Sequence, residues 1–192
     1  IINSPVGRLY VAASDNALTG IWYEEQAHFP LPHELGERIT DPAGLVAEAD
    51  EVAQAIGADA ERRGEHIYVA PARILAQTER ELDEYFRGRR TDFEVPLDPD
   101  GTDFQLAVWD YLKTVPYGYT VTYGEISRMV GPGAPAQAVG QAVGHNKIAI
   151  IIPCHRVLGA GGKLTGYAGG LDRKRWLLDR EEPKDIRSGR LF

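Results

Sequence analysis

The chain has 192 residues, of which 43% are hydrophobic and 26% charged, and this composition suits one or two compact domains with a hydrophobic core. It contains no long apolar run of membrane-spanning length and does not begin with the basic-then-apolar pattern of a signal peptide. We therefore expect a soluble protein of the cytoplasm with no membrane partner. The single cysteine excludes an internal disulfide and any zinc site built from several cysteines.

The charge is distributed unevenly between the two halves of the chain. The formal net charge is −7, which by itself argues against a nucleic-acid partner. Residues 1–100 carry 9 Lys and Arg against 20 Asp and Glu, a balance of −11, whereas residues 101–192 carry 12 against 8, a balance of +4. The second half can therefore approach a phosphate backbone, although an unevenly charged solvated surface would show the same imbalance.

The start of the chain predicts a β-hairpin followed by a helix. Residues 7–13 and 18–24 have strand-like composition and flank residues 14–17, Ser-Asp-Asn-Ala, which suit a turn. Residues 43–60 lie in an acidic, alanine-rich stretch and predict a weakly amphipathic helix.

A second helix and a strand are predicted to complete the first domain. Residues 72–86 place leucines and aromatics on one side, which is typical of a helix with a buried stripe. Residues 93–97 resemble a last strand, and Asp98-Pro99-Asp100-Gly101 is a plausible linker. We therefore predict domains at 1–97 and 98–192.

Two capping patterns predict helices in the second domain. Thr102 and Gln105 have the spacing of a capping box, and the apolar residues after them recur at helical intervals until Pro116. Thr122 and Glu125 repeat this spacing and predict a helix over residues 126–130.

The next helix is predicted to form a helix-turn-helix with its predecessor. Gly131-Pro132-Gly133 ends the preceding helix, and Pro135 suits the first residue of a helix whose residues 136–144 have small side chains. Small residues permit close packing against another helix, and they equally allow a smooth helix face to lie against a nucleic-acid groove. The residues alone leave both interpretations open.

The lone cysteine follows an apolar run that predicts a buried strand. Residues 148–152 include four isoleucines, and Pro153 then ends the strand before Cys154, His155 and Arg156. Basic neighbours favour the thiolate form of a cysteine. Adjacent side chains in an extended segment point to opposite faces, so a bridging water is an alternative to direct contact between thiol and imidazole. The alternative for the thiol is a small buried hydrophobic side chain.

Glycine-rich turns and a last helix follow the cysteine. Residues 159–162 and 166–170 do not match a phosphate-binding loop, and we expect them to form a wall over the cysteine. Asp172 is predicted to cap a helix over residues 173–181.

The cysteine lies in the segment Pro153-Cys154-His155-Arg156-Val157, which Asn146 precedes and residues 166–170 follow. This arrangement resembles the active-site signature of the O6-alkylguanine-DNA alkyltransferases. The likeness extends from about residue 101 to residue 182 and includes the helix pair, Tyr123 and Glu181. Residues 4–7 and the hairpin also resemble the first domain of this family. The resemblance implies an α/β fold in which a ribonuclease H-like domain with a small sheet precedes a mostly helical, winged helix-turn-helix domain.

The family resemblance also implies the function and the catalytic roles. The protein would repair DNA by irreversible, single-turnover transfer of the alkyl group of O6-alkylguanine, with O4-alkylthymine as a second substrate, to Cys154. His155 would generate the thiolate through a water, and Glu181 would orient the histidine. Asn146 would brace the turn that carries the cysteine, and Tyr123 would donate a proton towards the departing guanine.

The implied partner is double-stranded DNA carrying the lesion, bound in its minor groove with the damaged base flipped into a pocket. No cofactor or metal is implied, and we expect a monomer, with clustering on DNA as an alternative. The expected DNA-binding residues are Ala136, Gln137, Ala138, Gly140 and Arg156. The expected pocket residues are Tyr123, Val143, Val157, Tyr167, Ala168 and Gly169.

Several positions depart from the family pattern. Gln137 stands where an arginine usually fills the space left by the flipped base, and Ala168 stands where a serine can contact the guanine oxygen. Lys147 and Ala149 stand where some relatives have proline, and the zinc site of some relatives needs more than one cysteine. These positions concern lesion capture and the pocket rim.

Two other functions compete with alkyl transfer. Gln137 is compatible with a lesion sensor of the same fold that does not transfer the group, but non-transferring relatives replace the cysteine that is present here as Cys154. A Cys-His hydrolase would also use Cys154, but the sequence gives no indication of an oxyanion hole.

For Tyr123 the alternative is a core or phosphate-binding side chain, and for Glu181 it is a surface carboxylate that ends a helix.

Overall fold

The structure, a computed structural model, describes residues 1–56, 69–131 and 133–182. It begins with the strands β1 (Ile2–Ser4), β2 (Gly7–Ala13) and β3 (Leu18–Tyr23). The elements that follow are α1 (Pro42–Ile56), α2 (Val69–Phe86), α3 (Asp103–Lys113), β4 (Val121–Thr122), α4 (Tyr123–Val130), α5 (Ala136–Gly144), β5 (Val157–Leu158) and α6 (Leu171–Glu181). Short 3-10 turns lie at Pro32–Glu34, Cys154–Arg156 and Ala160–Gly162. Both α and β elements are present, as predicted.

The predicted hairpin is confirmed as β2 and β3, which pair antiparallel. Their register places Leu9 opposite Tyr23 and Tyr10 opposite Trp22. The short strand β1, which the sequence did not predict, pairs with β2 on the other side. Gly7 begins β2 at φ 101°, a backbone conformation that glycine adopts without steric cost.

The free edge of β3 holds two distant segments of the chain. One is the segment before the predicted linker, and the other is the loop that precedes the cysteine. The backbone bonds are Leu18 N to Pro96 O (2.8 Å), Asp98 N to Leu18 O (2.9 Å), Ile21 N to Lys147 O (2.8 Å) and Ala149 N to Ile21 O (3.0 Å). The first half of the chain therefore supports the cysteine loop directly.

The predicted strand over residues 93–97 is wrong. A buried carboxylate on α2, that of Glu81, accepts hydrogen bonds from the backbone N–H groups of Glu94 (2.9 Å) and Val95 (3.4 Å). Only Leu97 forms a bridge to β3. The backbone N–H groups of residues 94 and 95 therefore bond a side-chain carboxylate instead of a neighbouring strand.

The predicted strand over residues 148–152 is also wrong, although its isoleucines are buried as expected. Only Ile148 bridges to β3. The chain then turns at Ile150, which has φ 72°, and Ile152 N donates to Ile148 O at 3.0 Å. Cys154 and His155 consequently lie on a 3-10 turn and not on an extended segment.

Both capping boxes of the second half are confirmed. Gln105 N donates to Thr102 Oγ1 at 3.3 Å and Thr102 N donates to Gln105 Oε1 at 2.9 Å at the start of α3. The same reciprocal pair joins Thr122 and Glu125 at the start of α4. The helix α4 begins at Tyr123, three residues earlier than predicted, because the capping box includes this first turn.

Other predicted helix boundaries need small corrections. Pro135 is the N-cap residue of α5 and not its first residue. Asp172 lies in the first turn of α6, whose N-cap is Gly170, so it does not cap that helix. The predicted helix 43–60 corresponds to α1 up to Ile56, and residues 57–60 lie outside the described residues.

The buried side chains of both halves form one continuous core. It joins Leu9 and Tyr23 of the sheet, Tyr85 of α2, and Trp109 and Val139 of the helical half. Among the described residues, no helix combines the length and apolarity needed to cross a membrane.

Replacement of Glu81 by alanine tests the carboxylate that replaces the predicted strand pairing. We expect Glu81→Ala to lower the free energy of unfolding by about 2 kcal/mol, because buried N–H groups of residues 94 and 95 lose their acceptor. The measurement is urea denaturation. Glu79→Ala, an exposed position on the same helix, is the control and should change stability by less than about 0.5 kcal/mol. Equal effects of the two substitutions would contradict this assignment.

Candidate active site

The side-chain amide of Asn146 organises the loop that carries the cysteine. Its Nδ2 donates to Ile152 O (2.8 Å), to Ile148 O (3.3 Å) and to Cys154 Sγ (3.1 Å), while its Oδ1 accepts from Ile148 N (3.1 Å). Asn146 is 5% exposed. This buried amide therefore replaces the missing strand pairing and at the same time directs an N–H group at the sulfur.

Cys154 lies at the start of the 3-10 turn and is 6% exposed. Burial raises the pKa of its thiol, while the hydrogen bond from Asn146, the charge of Lys174 and the hydroxyl of Tyr167 act in the opposite direction. Burial has the larger effect, so the cysteine rests as a thiol. Three polar groups are nevertheless in place to stabilise the thiolate once it forms.

The imidazole of His155 is fully buried and fixed by Glu181. Nε2 of the ring lies 2.8 Å from Glu181 Oε1, and since a carboxylate only accepts, Nε2 carries the proton. The other nitrogen, Nδ1, is buried and has no hydrogen-bond partner among the described residues. Burial lowers the pKa of His155 despite the nearby carboxylate. The ring is therefore neutral, with a lone pair free to accept a proton.

Glu181 ends α6 and is 2% exposed. Burial alone would raise the pKa of its carboxyl, but the hydrogen bonds and charges of His155 and Arg156 outweigh it and bring the pKa below its ordinary value. The hydroxyl of Tyr85 also donates to Glu181 Oε1 at 2.8 Å. The carboxylate thus stays ionised inside the protein.

The structure places Arg156 inside the protein and not on a DNA-facing surface. Its guanidinium donates from Nε to Glu181 Oε2 (2.8 Å) and from a terminal nitrogen to Glu181 Oε1 (3.0 Å), and also bonds Val115 O. At 6% exposure it has no access to a phosphate backbone. This placement argues against the predicted DNA contact and makes Arg156 the counterion of Glu181. The positive charge that acts on the Cys154 thiol therefore comes from a residue other than Arg156.

That charge is on Lys174, a residue that sequence reasoning missed. Its ammonium donates to Thr165 O (2.6 Å) and Gly166 O (3.1 Å) and lies 6.0 Å from the centre of the Tyr167 ring. Burial lowers the pKa of Lys174 to about 8, although the neighbouring Cys154 opposes the shift. The signal was available, because Lys174 shares the buried face of α6 with Leu177 and Glu181 at helical spacing.

A cavity of about 230 Å³, hereafter the active-site pocket, lies between α5, Tyr123 and the loop after the cysteine. Cys154 does not line it, but Tyr167, whose hydroxyl acts on the thiol, does. Four of the predicted pocket residues line it. They are Tyr123, Val143, Tyr167 and Ala168. The Tyr123 hydroxyl points to Gly166 O at 3.5 Å, and burial raises the pKa of Tyr123.

Val157 and Gly169 do not line the pocket, contrary to expectation. Val157 is fully buried and pairs with Val121 between β5 and β4. Gly169 is buried behind the pocket wall, where an added Cβ would lie 2.5 Å from the Tyr23 ring. Gly169 therefore lies behind Tyr167 of the pocket wall, whereas Val157 belongs to the core.

An open groove along α5, the helix groove, adjoins the pocket and shares residues with it. Of the residues expected to bind DNA, Ala136, Gln137 and Gly140 line this groove. Ala138 does not line it and is half-buried. Two lining residues that the sequence did not single out are His28 and His145. Within the described residues there is no cluster of three or more His, Cys, Asp or Glu side chains that could hold a metal ion.

Two family models match the chain. The model of the 6-O-methylguanine DNA methyltransferase ribonuclease-like domain matches residues 45–99. The model of the 6-O-methylguanine DNA methyltransferase DNA binding domain matches residues 103–183. The fold and the site therefore define a cysteine-bearing protein with a ribonuclease-like part and a DNA-binding part, which confirms the predicted fold class.

Sequence relatives agree with both models. The methylated-DNA–protein-cysteine methyltransferase of Mycobacterium tuberculosis is 40% identical over 183 residues, which are 95% of this chain and 91% of the relative. The enzyme of that name from Methanosarcina acetivorans is 51% identical over 114 residues, 59% of this chain and 73% of the relative. The chain belongs to the 6-O-methylguanine DNA methyltransferase family, as its resemblance indicated.

Solved structures give the same result. The M. tuberculosis O6-methylguanine methyltransferase superposes with a TM-score of 0.69 at 40% identity and covers 96% of this chain and 94% of its own. The M. tuberculosis OGT in complex with DNA has a TM-score of 0.66 at 40% identity and covers 97% of this chain and 95% of its own.

Replacement of Glu181 by glutamine tests the buried carboxylate. We expect Glu181→Gln to lower the free energy of unfolding by about 3 kcal/mol at pH 7, because the buried Arg156 loses its counterion. Since the pKa of Glu181 is lowered on folding, its stabilisation is present above the unfolded pKa of about 4.3 and is lost as the pH falls through the folded value.

Urea denaturation at pH 7, 4 and 3 measures this effect. The difference between wild type and variant should shrink on acidification, whereas the exposed control Glu79→Gln should show a small difference throughout. A difference independent of pH would show that the carboxylate charge is not what stabilises the site.

Proposed function

We propose that this member of the family repairs DNA by moving the alkyl group of O6-alkylguanine onto its own Cys154 in a single turnover. The observation that carries the proposal is the environment of the sulfur. Asn146 donates to Sγ, and the neighbouring His155 is held by Glu181, with a buried Nδ1 that no group in the described part of the chain bonds. A thiol, a positioned base and a carboxylate that orients the base are the parts that thiolate chemistry requires.

The first step is removal of the thiol proton. His155 Nδ1 does not contact Sγ directly, so a water between them carries the proton from Cys154 to the ring. Glu181 then stabilises the imidazolium through the proton on Nε2. The thiolate that remains is stabilised by Asn146 and by the positive charge of Lys174.

The second step is displacement at the alkyl carbon. The thiolate forms a carbon–sulfur bond while the bond between that carbon and guanine O6 breaks, and the electron pair stays on the base. The hydroxyl of Tyr123, which lines the pocket, donates a proton towards the guanine ring as it leaves. The product at Cys154 is a thioether, whose carbon–sulfur bond is stable in water, so each chain acts once.

The helix groove supplies the contact with duplex DNA in this proposal. Ala136 and Gly140 give α5 a smooth exposed face, and Gln137 stands exposed between them. The target base must leave the stack at a cost of a few kcal/mol, which contacts in the pocket offset. In this proposal Gln137 occupies the space left by the extruded base. Double-stranded DNA carrying O6-alkylguanine is thus the proposed partner, with O4-alkylthymine as a second lesion.

The organisation of the protein forms a further part of the proposal. We place the domain boundary at residue 98. The first family model ends at residue 99 and the second begins at residue 103, which supports a boundary close to this position. We also propose that the protein acts as a monomer in the cytoplasm, without a cofactor, with clustering on DNA as the alternative. The reaction itself needs one cysteine and one lesion for each chain.

A lesion sensor that does not transfer the alkyl group is the second candidate. Gln137 raises this candidate because it departs from the arginine of the family pattern, but its neutral side chain would weaken lesion capture by a sensor as much as by a transferase. The buried amide, imidazole and ammonium around Cys154 favour transfer, since a sensor does not need groups that stabilise a thiolate.

The mass of the intact protein separates these two candidates. After incubation with a duplex carrying O6-methylguanine, we expect the wild type to gain one methyl group per chain. Cys154→Ser should bind the duplex and gain none, and a duplex with unmodified guanine is the second control. Binding by the wild type with no change in mass would favour the sensor.

A second prediction concerns Gln137. We expect Gln137→Arg to raise the affinity for the lesion duplex by about tenfold, which is about 1.4 kcal/mol, because a charged side chain enters the minor groove. Fluorescence anisotropy at fixed salt measures it, with Gln141→Arg on the next turn of the same helix as the matched control. If both substitutions raise affinity equally, the gain reflects net charge and not insertion at position 137.

A further inference from the structure

Two exposed imidazoles from different halves of the chain stack at the edge of the helix groove. The rings of His28 and His145 have centroids 3.9 Å apart and an interplanar angle of 25°. His28 follows β3, and His145 is the C-cap residue of α5. Neither histidine was among the site residues predicted from the sequence.

The turn that presents His28 is strained and firmly held. Glu25 and His28 have φ values of 63° and 60°, a region that residues other than glycine rarely occupy. Gln26 is 8% exposed, and its Oε1 accepts from Tyr23 N at 2.8 Å. Ala27 N donates to Ala168 O at 3.1 Å. The turn is therefore attached directly to the loop that forms one wall of the active-site pocket.

His145 is also firmly held, on the α5 side of the helix groove. Its backbone N–H and its ring Nδ1 both bond Gln141 O, at 3.0 Å and 2.8 Å. Because a carbonyl oxygen only accepts, Nδ1 is the donor, and the ring lies against the last turn of α5. The stack thus joins the turn at His28 to the end of α5, and each of these has its own attachment.

The stack lies in the helix groove, next to the entrance of the active-site pocket. The helix groove and the active-site pocket share five residues, so the groove leads into the pocket. These are His28, Tyr123, Gly140, Gly144 and Gly166. His28 lines both cavities and His145 lines the groove alone, so the stack connects α5 to the opposite loop on the groove side of the pocket entrance.

We propose that His28 and His145 form an imidazole latch that sets the width of the pocket mouth, and with it the size of the O6 substituent that reaches Cys154. This inference rests on the proposed alkyl transfer. A methylated base passes with the rings in contact, whereas a base carrying a bulky aromatic substituent requires the walls, and therefore the rings, to separate. The stack is thus a selective barrier for large adducts.

The test compares the single-turnover rates of transfer from two duplexes that are identical except for O6-methylguanine or O6-benzylguanine. The intact-protein mass gives both rates, and the quantity of interest is the benzyl-to-methyl ratio. The variants are His28→Asn, His145→Ala and the double variant. Asparagine is chosen at position 28 because it tolerates positive φ but has no ring.

We expect the ratio to rise about fivefold in each single variant, which corresponds to about 1 kcal/mol, within the range of an aromatic stack. The double variant should show no further increase, because loss of either ring already abolishes the stack. His33→Ala, an exposed histidine that lines neither the groove nor the pocket, should leave the ratio unchanged. His145→Phe retains a ring but loses the Nδ1 bond to Gln141 O, so its ratio should lie between those of the wild type and His145→Ala.

Three results would overturn the latch. They are an unchanged ratio in the single variants, effects that multiply in the double variant, and equal losses of rate for both duplexes, which would assign the histidines to DNA binding. Thermal unfolding of each variant verifies that these exposed substitutions leave the fold intact. If the wild type transfers neither group, the proposed function fails and the latch fails with it. If it transfers methyl but the ratio stays constant, only the latch fails.

Discussion

The carboxylate of Glu181 is the interaction on which the rest of the site depends. It accepts hydrogen bonds from Tyr85, His155 and Arg156, and Gly118 N approaches it at 3.4 Å. A carboxylate with 2% exposure remains charged only because its oxygens are surrounded by donors, one of them a guanidinium. Those donors come from α2, from the turn before β4 and from the cysteine turn. One charged group therefore fixes the tautomer of the histidine and holds three parts of the chain against the end of α6.

The environment of Cys154 reflects two opposing requirements. Burial protects the sulfur from solvent oxidants and favours the neutral thiol, whereas displacement at carbon needs the thiolate. The structure meets both requirements by leaving the charge-stabilising groups in place while the proton remains on sulfur. Asn146 and Lys174 are each committed to backbone carbonyls as well, so neither has to move when the charge appears. Such preorganised donors stabilise a developing charge without the cost of reorientation.

Local signals in the sequence predicted local structure well. The hairpin and both capping boxes depend on residues a few positions apart, and all of them are present. The strands expected at 93–97 and 148–152 are wrong because Glu81 and the amide of Asn146 satisfy backbone groups that a ladder would have used. Residue propensities could not predict these side-chain bonds, because Glu81 and Asn146 reach the backbone groups only in the tertiary fold.

The site shows the same division between local and long-range information. The resemblance brought together Cys154, His155, Glu181 and Asn146, and the structure places them in one cluster. Arg156 was predicted to bind DNA, but its partner is the carboxylate of Glu181 at the end of α6. The residues next to Arg156 in the sequence do not reveal this partner. The contribution of the first half to the pocket was equally hidden. Since β3 holds the cysteine loop and Ala27 holds the loop at Ala168, the acidic first half positions both sides of the pocket. The first half carries the excess of negative charge and the second half the excess of positive charge. In the proposed function α5 of the second half contacts DNA, so the charge that repels a phosphate backbone lies mainly on the half that supports the cysteine loop.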